Sequence, residues 1–555
     1  MPIIVRIAPS RHACRSDGAD PHSGMSRRAC LTTSLLLACA AAPLPAQGDA
    51  APPASAAAAP TLVVLVTIDQ FRADYLQRFG SQLRGGLARL VRGGAWFTDA
   101  HHDHAITETA PGHATLLAGR FPRSTGITMN SVGVADEASP LIADGYGPGA
   151  SPRRFSGTTL VDWLRAADAR SRALSVSVKD RGAILPVGRS RAEVYWYSPD
   201  GRFTTSRYYR DTLPRWVTSF NARRLPQRYA GKVWTLLLPD SAYPERDSVV
   251  VEAGGREIAF PHPLPVDSMD AASLVRATPF VDEVVVAFAL DGVQSLGLGL
   301  GPQTDLLAVS LSSTDYVGHR FGPDSREMHD QVLRDDRTIG VLLDSLYRIR
   351  DSSRVVIVLT SDHGVGTIPE VAAASTTPGA RRVELWTLLP AVRAQLRAAG
   401  VDTNAVDLDQ QLVLVDRAAF RAGTLSADAV IDSFAAAARR VPGVRRVDRF
   451  KALLADSLRD PIARRWSHQL PANAPVELVV TLDSLSSWGG NVASHGSSYD
   501  HDSRVPIIFY GAGVRPGRYP DFVRTVDIAP TLAALVGVKP REPLDGVVLE
   551  KAVKR

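Results

Sequence analysis

Four short segments of the chain set carboxylates and imidazoles beside apolar runs. A run at residues 61–68 stops at Asp69. A second at 306–311 leads into Ser312-Ser313-Thr314-Asp315-Tyr-Val-Gly-His319, and a third at 355–360 leads into Ser361-Asp362-His363-Gly364. A further imidazole, His495 in Ser494-His495-Gly496, stands just before a fourth run at 505–510. One Asp or His after a strand is an ordinary helix cap or loop hydrogen-bonder. Five such groups on three strand ends, with His495 as a sixth, instead describe a metal centre. Six oxygen and nitrogen donors are about what two divalent ions need, with coordination left open for a substrate. Cys14, Cys30 and Cys39 are the three cysteines, all within the first 39 residues. With that segment removed, disulfides and thiolate-held zinc are excluded.

The remaining histidines carry the ordinary reading. His101-His102-Asp103-His104 alternates faces on an extended chain, which suits a loop or core role. His113, His262, His329, His468 and His501 are read as packing residues. For a nucleophile, Glu108-Thr109-Ala-Pro-Gly-His-Ala-Thr115 opens a helix expected to run to about residue 119. A threonine there is commonly an N-cap. The same position suits a hydroxyl that attacks phosphorus, because free helix N–H groups and the helix dipole draw an anion. A hydroxyl needs activation, which a metal supplies.

The runs that deliver these groups are continuous, apolar and β-branched, as expected of strands buried on both faces of a parallel sheet. Between them, residues 325–350 carry Met328, Val332, Leu333, Ile339, Leu342, Leu343 and Leu346 at helical spacing. Residues 525–536 form a shorter helix with Pro530 near its start and Gly537 as its stop. Strands alternating with helices predict an α/β fold, a doubly wound mostly parallel sheet with helices on both faces, whose site lies outside the carboxyl ends of the strands. Two stretches fit this poorly: about 195–300, rich in aromatics, Arg and Pro, and about 380–485, a small α+β unit with helices near 385–399 and 427–440. Both are read as insertions in one domain spanning 61–555.

Residues 1–46 read as an export signal: Met25-Ser26-Arg27-Arg28 as the basic region, 31–42 as the apolar region, and Leu44-Pro45-Ala46 as the cleavage site. Met25 is an alternative start. Leu36-Leu37-Ala38-Cys39 resembles a lipoprotein box, which would make Cys39 a lipid anchor, and Ser26-Arg27-Arg28 is a partial twin-arginine signal. The apolar stretch is too short for a membrane span, and an Ala/Pro-rich linker follows at 47–60. The 555 residues are 45% hydrophobic and 22% charged, which excludes a disordered or fibrous protein. Of the net charge of +6, the leader's five Arg and two Asp account for half, so no nucleic-acid partner is expected.

Taken together, Thr67-Ile-Asp69, Thr109-Ala-Pro-Gly-His113, Asp315-Tyr-Val-Gly-His319, Ser361-Asp362-His363-Gly364 and His495-Gly496 resemble the alkaline phosphatase superfamily, in its type I phosphodiesterase and nucleotide pyrophosphatase branch. Asn130, Lys179-Asp180-Arg181 and the stretch from His495 to Gly511 are similar to the PafA-like phosphate-irrepressible alkaline phosphatases. The resemblance implies two Zn²⁺ ions, one held by Asp315, His319 and His495, the other by Asp69, Asp362 and His363 with the Thr109 oxygen. No magnesium-type site is implied. It further implies two in-line displacements with a phosphothreonine at Thr109 between them, and Asn130, Lys179 and Arg181 as donors to the phosphoryl oxygens. The cationic pair favours small-molecule phosphate monoesters, whose dianion leaves three charged oxygens free. The resulting expectation is a periplasmic or secreted alkaline phosphatase. The alternative is a phosphodiesterase or nucleotide pyrophosphatase with the same nucleophile and metals. A sulfatase would need a Cys or Ser where Thr109 stands. A non-catalytic zinc- or carbohydrate-binding protein would use the aromatics of 195–234.

Overall fold

The computed structural model describes residues 59–142, 147–421 and 425–554. The segment expected to be an export signal (1–46), Cys39 and most of the linker lie outside the described residues. Nine strands form the central sheet: β1 (Leu62–Ile68), β2 (Ala95–His101), β3 (Ala173–Ser177), β4 (Glu193–Tyr197), β5 (Phe203–Thr204), β6 (Asp305–Leu311), β7 (Val355–Thr360), β8 (Arg504–Gly511) and β9 (Gly517–Arg524). Their spatial order is β9-β2-β8-β7-β1-β6-β3-β4-β5. β1 pairs in parallel with both β6 and β7, and β3 in parallel with β6 and β4.

The apolar runs form strands because both faces find a partner. Pleating sends Leu62, Val64, Val66 and Ile68 of β1 into one apolar layer and Val63 and Leu65 into the other. The first layer is completed by helices Gly86–Gly93, Phe280–Leu296 and Arg326–Ile349; the second by Thr109–Leu116, Leu160–Ala167 and Ile528–Val536. The long helix starts where the Ser325 hydroxyl accepts the Met328 N–H at 3.0 Å. The short one stops at Gly537, whose φ of +75° suits glycine.

Register then fixes where the strands end. Ile68 lies opposite Leu311, Thr67 opposite Thr360, and Ser177 opposite Ser310. β1, β6, β7 and β3 therefore finish flush, and Asp69, Ser312, Ser361 and Val178 all emerge at one edge. The fourth apolar run departs from the parallel expectation. β8 is antiparallel to β7 and β2, because a continuous apolar run reports burial on two faces and carries no information on direction. The consequence is functional: the start of β8 meets the ends of its neighbours, so the segment preceding it, which holds His495, arrives at the same edge.

Within 195–300, Tyr195, Trp196 and Tyr197 lie in β4 and are buried, as is Trp234, so these aromatics pack the interior. The Phe280–Leu296 helix buries residues on nearly every side, including Val281, Val284, Val285, Val286, Phe288 and Ala289. Without a polar stripe its sequence shows little amphipathic period. Residues 380–488 contain an antiparallel sheet ordered Val406–Asp409, Leu412–Val415, Val476–Leu482, Val444–Arg449, covered by helices Leu389–Ala398 and Ala427–Ala438 over a separate apolar core. No helix among the described residues is long and apolar enough to cross a membrane.

Helices Gly86–Gly93 and Arg326–Ile349 touch through backbone. A Cβ on Gly86 would stand 2.5 Å from the Gly340 nitrogen and from the Ile339 carbonyl carbon. Gly86→Ala should therefore lower stability by about 1–3 kcal/mol, read as a fall in the denaturant midpoint. An unchanged midpoint would mean that the helices part without cost.

Candidate active site

The sheet edge gathers the groups one element at a time. Asp69 follows β1 directly. β6 runs through Ser312 into helix Ser313–Phe321, where Asp315 and His319 stand one turn apart on the same face. Asp362 and His363 follow β7, His495 approaches on the segment before β8, and Lys179 follows β3. Thr109 is the first residue of its helix. Its Oγ1 lies 3.5 Å from both His363 Nε2 and Lys179 Nζ. The helix start offers an anion little backbone: Ala110 N–H is taken by Asn130 Oδ1 at 2.9 Å, and Pro111 has none. Asn130 and Arg181 stand at the rim, Asn130 exposed and the Arg181 side chain 30% exposed.

Three buried carboxylates dominate the field. Asp69 Oδ2 and Asp315 Oδ2 each lie 2.6 Å from Lys179 Nζ. Burial, then the charges of Asp315 and Asp362, push the Asp69 carboxyl well above its ordinary range. Asp315 is also buried, but Lys179, His319 and His495 hold it well below. Burial opposes the charge on Lys179, yet Asp315 and Asp69 raise it above an ordinary lysine. Asp180, Asp69 and Asp315 likewise raise Arg181 against its burial. Asp69 Oδ1 makes no hydrogen bond.

The imidazoles point their free nitrogens inward. Nδ1 of His319, His363 and His495 donates to the carbonyls of Ala493 (2.8 Å), Gly364 (2.9 Å) and Thr107 (2.8 Å). That leaves each Nε2 as the inward nitrogen, the arrangement of a metal-binding histidine. His319 Nε2 is 3.3 Å from His495 Nε2 and 3.3 Å from Asp315 Oδ1, and His495 Nε2 is 3.7 Å from the same oxygen. Two imidazole nitrogens so close need a cation or a proton between them. Burial, then His363 and His319, drive His495 well below the usual histidine range, whereas Asp315 raises His319 against its burial, so a proton shared between the rings would sit on His319. Ligand atoms of Asp69, Asp362 and His363 lie within 4.8 Å of one another, as do those of Asp315, His363 and His495. His363 belongs to both groups, its ring stacked 3.7 Å from that of His495. An orphaned carboxylate oxygen and converging Nε2 atoms fit divalent cations. His101, His102 and His104 stay outside these groups; His102, for example, is spent on Ser361 O and Thr525 Oγ1.

A family model described as type I phosphodiesterase / nucleotide pyrophosphatase matches residues 63–418, a span that holds Thr109, Asn130, Lys179, Arg181 and every candidate metal ligand except His495. Alkaline phosphatase PafA of Elizabethkingia meningoseptica is 30% identical over 504 residues, 86% of this chain and 92% of its own. Alkaline phosphatase PhoV of Synechococcus elongatus is 31% identical over 524 residues, 90% and 94% of the two chains. The crystal structure of wild-type PafA superposes with a TM-score of 0.82 at 27% identity, over 90% of this chain and 100% of that one.

Sequence reasoning left aside several residues that the structure puts to use. His113, which the sequence reads as a packing residue, has its Nδ1 3.0 Å from Asp362 Oδ2 and 3.0 Å from Thr109 O, and its Nε2 3.0 Å from Ser310 Oγ. The signal was present: His113 stands four residues after Thr109, on the same helix face. Gly112 between them allows the approach, since a Cβ there would meet Asp362 O at 2.1 Å. Asp282, on the Phe280–Leu296 helix, accepts the N–H groups of Ser312 (3.0 Å) and Ser313 (3.3 Å) and so anchors the helix carrying Asp315 and His319. Nothing local marks it.

Burial pushes the Asp282 carboxyl up to about 7. A carboxyl raised above its unfolded value near 4 contributes stability that is full below that value and is lost as pH rises through about 7. The wild type should therefore lose Tm between pH 5 and 8 more steeply than Asp282→Asn. Parallel Tm–pH curves would show that the carboxyl is already ionised.

Proposed function

The chain belongs to the type I phosphodiesterase / nucleotide pyrophosphatase family, and from that premise we propose that it is an exported alkaline phosphatase. In this reading it hydrolyses small phosphate monoesters through a phosphothreonine at Thr109, with two zinc ions bound. Asp69, Asp362 and His363, together with Thr109 Oγ1, would hold one ion, and Asp315, His319 and His495 the other. Bound there, the ions supply Lewis acidity, which activates a hydroxyl at neutral pH and neutralises charge on phosphoryl oxygens.

The chain's own groups account for the rest. Thr109 Oγ1 attacks phosphorus, its O–P bond forming as the bond to the ester oxygen breaks, and the alcohol leaves with a proton. Water then attacks the phosphothreonine from the opposite side, releasing phosphate and restoring the hydroxyl. The observation that carries the monoester reading is the position of Lys179. It is buried with its ammonium 3.5 Å from the nucleophilic oxygen. A phosphoryl group on Thr109 therefore meets a fixed cation, with Arg181 and Asn130 at the rim beside it. A monoester dianion offers three charged oxygens to these donors, whereas a diester puts a carbon substituent on one of them. Preorganised donors of this kind act on charge that concentrates in the transition state. Export rests on the leader, with its basic and apolar regions and cleavage site; a lipid anchor at Cys39 is the variant of that reading.

Two experiments test the proposal. Arg181→Ala leaves Lys179 in place against the carboxylates, so it probes the clamp without unpairing Asp69 and Asp315. It should lower kcat/KM for p-nitrophenyl phosphate by about 10²-fold and that for bis-p-nitrophenyl phosphate much less. Equal losses, or a wild type that prefers the diester, would move the activity to phosphodiesterase. Acid-quenched enzyme should carry phosphate on the peptide containing Thr109, and Thr109→Ala should abolish both the label and turnover. A label elsewhere would remove Thr109 from its role.

A further inference from the structure

The antiparallel unit at 380–488 reaches the rim of the site through one tight turn. Strands Val406–Asp409 and Leu412–Val415 pair with Asp409 opposite Leu412, so Gln410 and Gln411 make the whole connection. Gln410 has φ of +50°, a region that favours glycine or asparagine and is costly for a longer side chain. That side chain has a task. Its Nε2 donates to Glu108 Oε1 at 3.0 Å, across 302 residues of sequence. Glu108 is 5% exposed and immediately precedes Thr109. Its second oxygen accepts the Asn130 N–H at 2.6 Å, and Asn130 Oδ1 accepts the Ala110 N–H at 2.9 Å. Flanking contacts seat the same turn: Ser131 Oγ donates to Asp409 Oδ2 at 2.9 Å, and Gln411 Nε2 donates to Gly496 O at 3.1 Å, next to His495.

We propose that Gln410 is a positioning residue of the outer unit: through Glu108 it fixes Asn130, whose Nδ2 is then presented as a donor to the phosphoryl group. The inference rests on the reading of Asn130 as a phosphoryl donor. Two physical effects point the same way. With Oδ1 occupied by Ala110 and the backbone N–H by Glu108, Nδ2 is the polar group Asn130 has left to offer. A carboxylate beside Thr109 would also repel a phosphate dianion, and donors on both of its oxygens offset that charge. A glycine at position 410 would relax the backbone. The structure holds a strained glutamine there, which makes the side-chain contact its reason.

A double-mutant cycle tests this, comparing wild type, Gln410→Gly, Asn130→Ala and the double variant by kcat/KM on p-nitrophenyl phosphate and by Tm. Gln410→Gly should keep or raise Tm, because it relieves the positive φ, while lowering kcat/KM by about fivefold, the size of coupling through one hydrogen bond. In the Asn130→Ala background the same change should have little further effect. Equal losses in both backgrounds, or no loss in the first, would overturn the proposal. If Asn130→Ala alone retains full turnover, the donor reading of Asn130 fails and the positioning role falls with it. Gln410→Met, which keeps the side-chain length without the donor, repeats the cycle should the glycine variant not fold.

Discussion

Three carboxylates, Asp69, Asp315 and Asp362, are withdrawn from water at one sheet edge, and a single ammonium, Lys179, stands directly between two of them. Like charges at such distances in a poorly polarisable setting cost several kcal/mol unless cations answer them. Much of the architecture can be understood as the means of creating and then relieving that condition. The register of β1, β6, β7 and β3 makes four strands end at one level. The reversal of β8 adds His495 to their products. Carbonyls behind His319, His363 and His495 fix each ring so that its remaining nitrogen faces inward.

Lys179 answers to both sides of this arrangement. Its amine touches two acids that would hold metal and lies within reach of the hydroxyl that would hold phosphorus. In the proposed reading the same residue would couple charge balance in the site to recognition of a dianionic substrate, which makes it a poor probe of either alone. The helix carrying Thr109 is set equally firmly. Gly112 lets it meet the Asp362 backbone, and His113 bridges toward the Asp362 carboxylate.

Much of this was legible before the fold was known. Buried strands advertise themselves as unbroken apolar runs, and an Asp or His at their ends is a local pattern. Asp69, Asp315, His319, Asp362 and His363 could thus be collected from sequence alone, and they do meet. The long helix could be read from its 3.6-residue period. What stayed hidden has physical reasons. Strand direction leaves no mark in an apolar run, so the reversal of β8 was invisible. The Phe280–Leu296 helix is buried nearly all round and shows little period. β3 is only five residues long, and Lys179 at its end entered through resemblance rather than pattern. Asp282 and Gln410 act across 30 and 302 residues, through contacts that only the folded chain creates.

The central claim is that these buried acids and imidazoles exist to hold cations. Elemental analysis of exhaustively dialysed protein, read with Tm before and after chelation, tests it most directly. Two zinc ions per chain should remain bound. Chelation should lower Tm by more than about 5 °C, and added zinc should restore it, because ligands that bind only the folded state stabilise it. Protein that retains no divalent ion, or whose Tm is indifferent to chelation, would contradict the account.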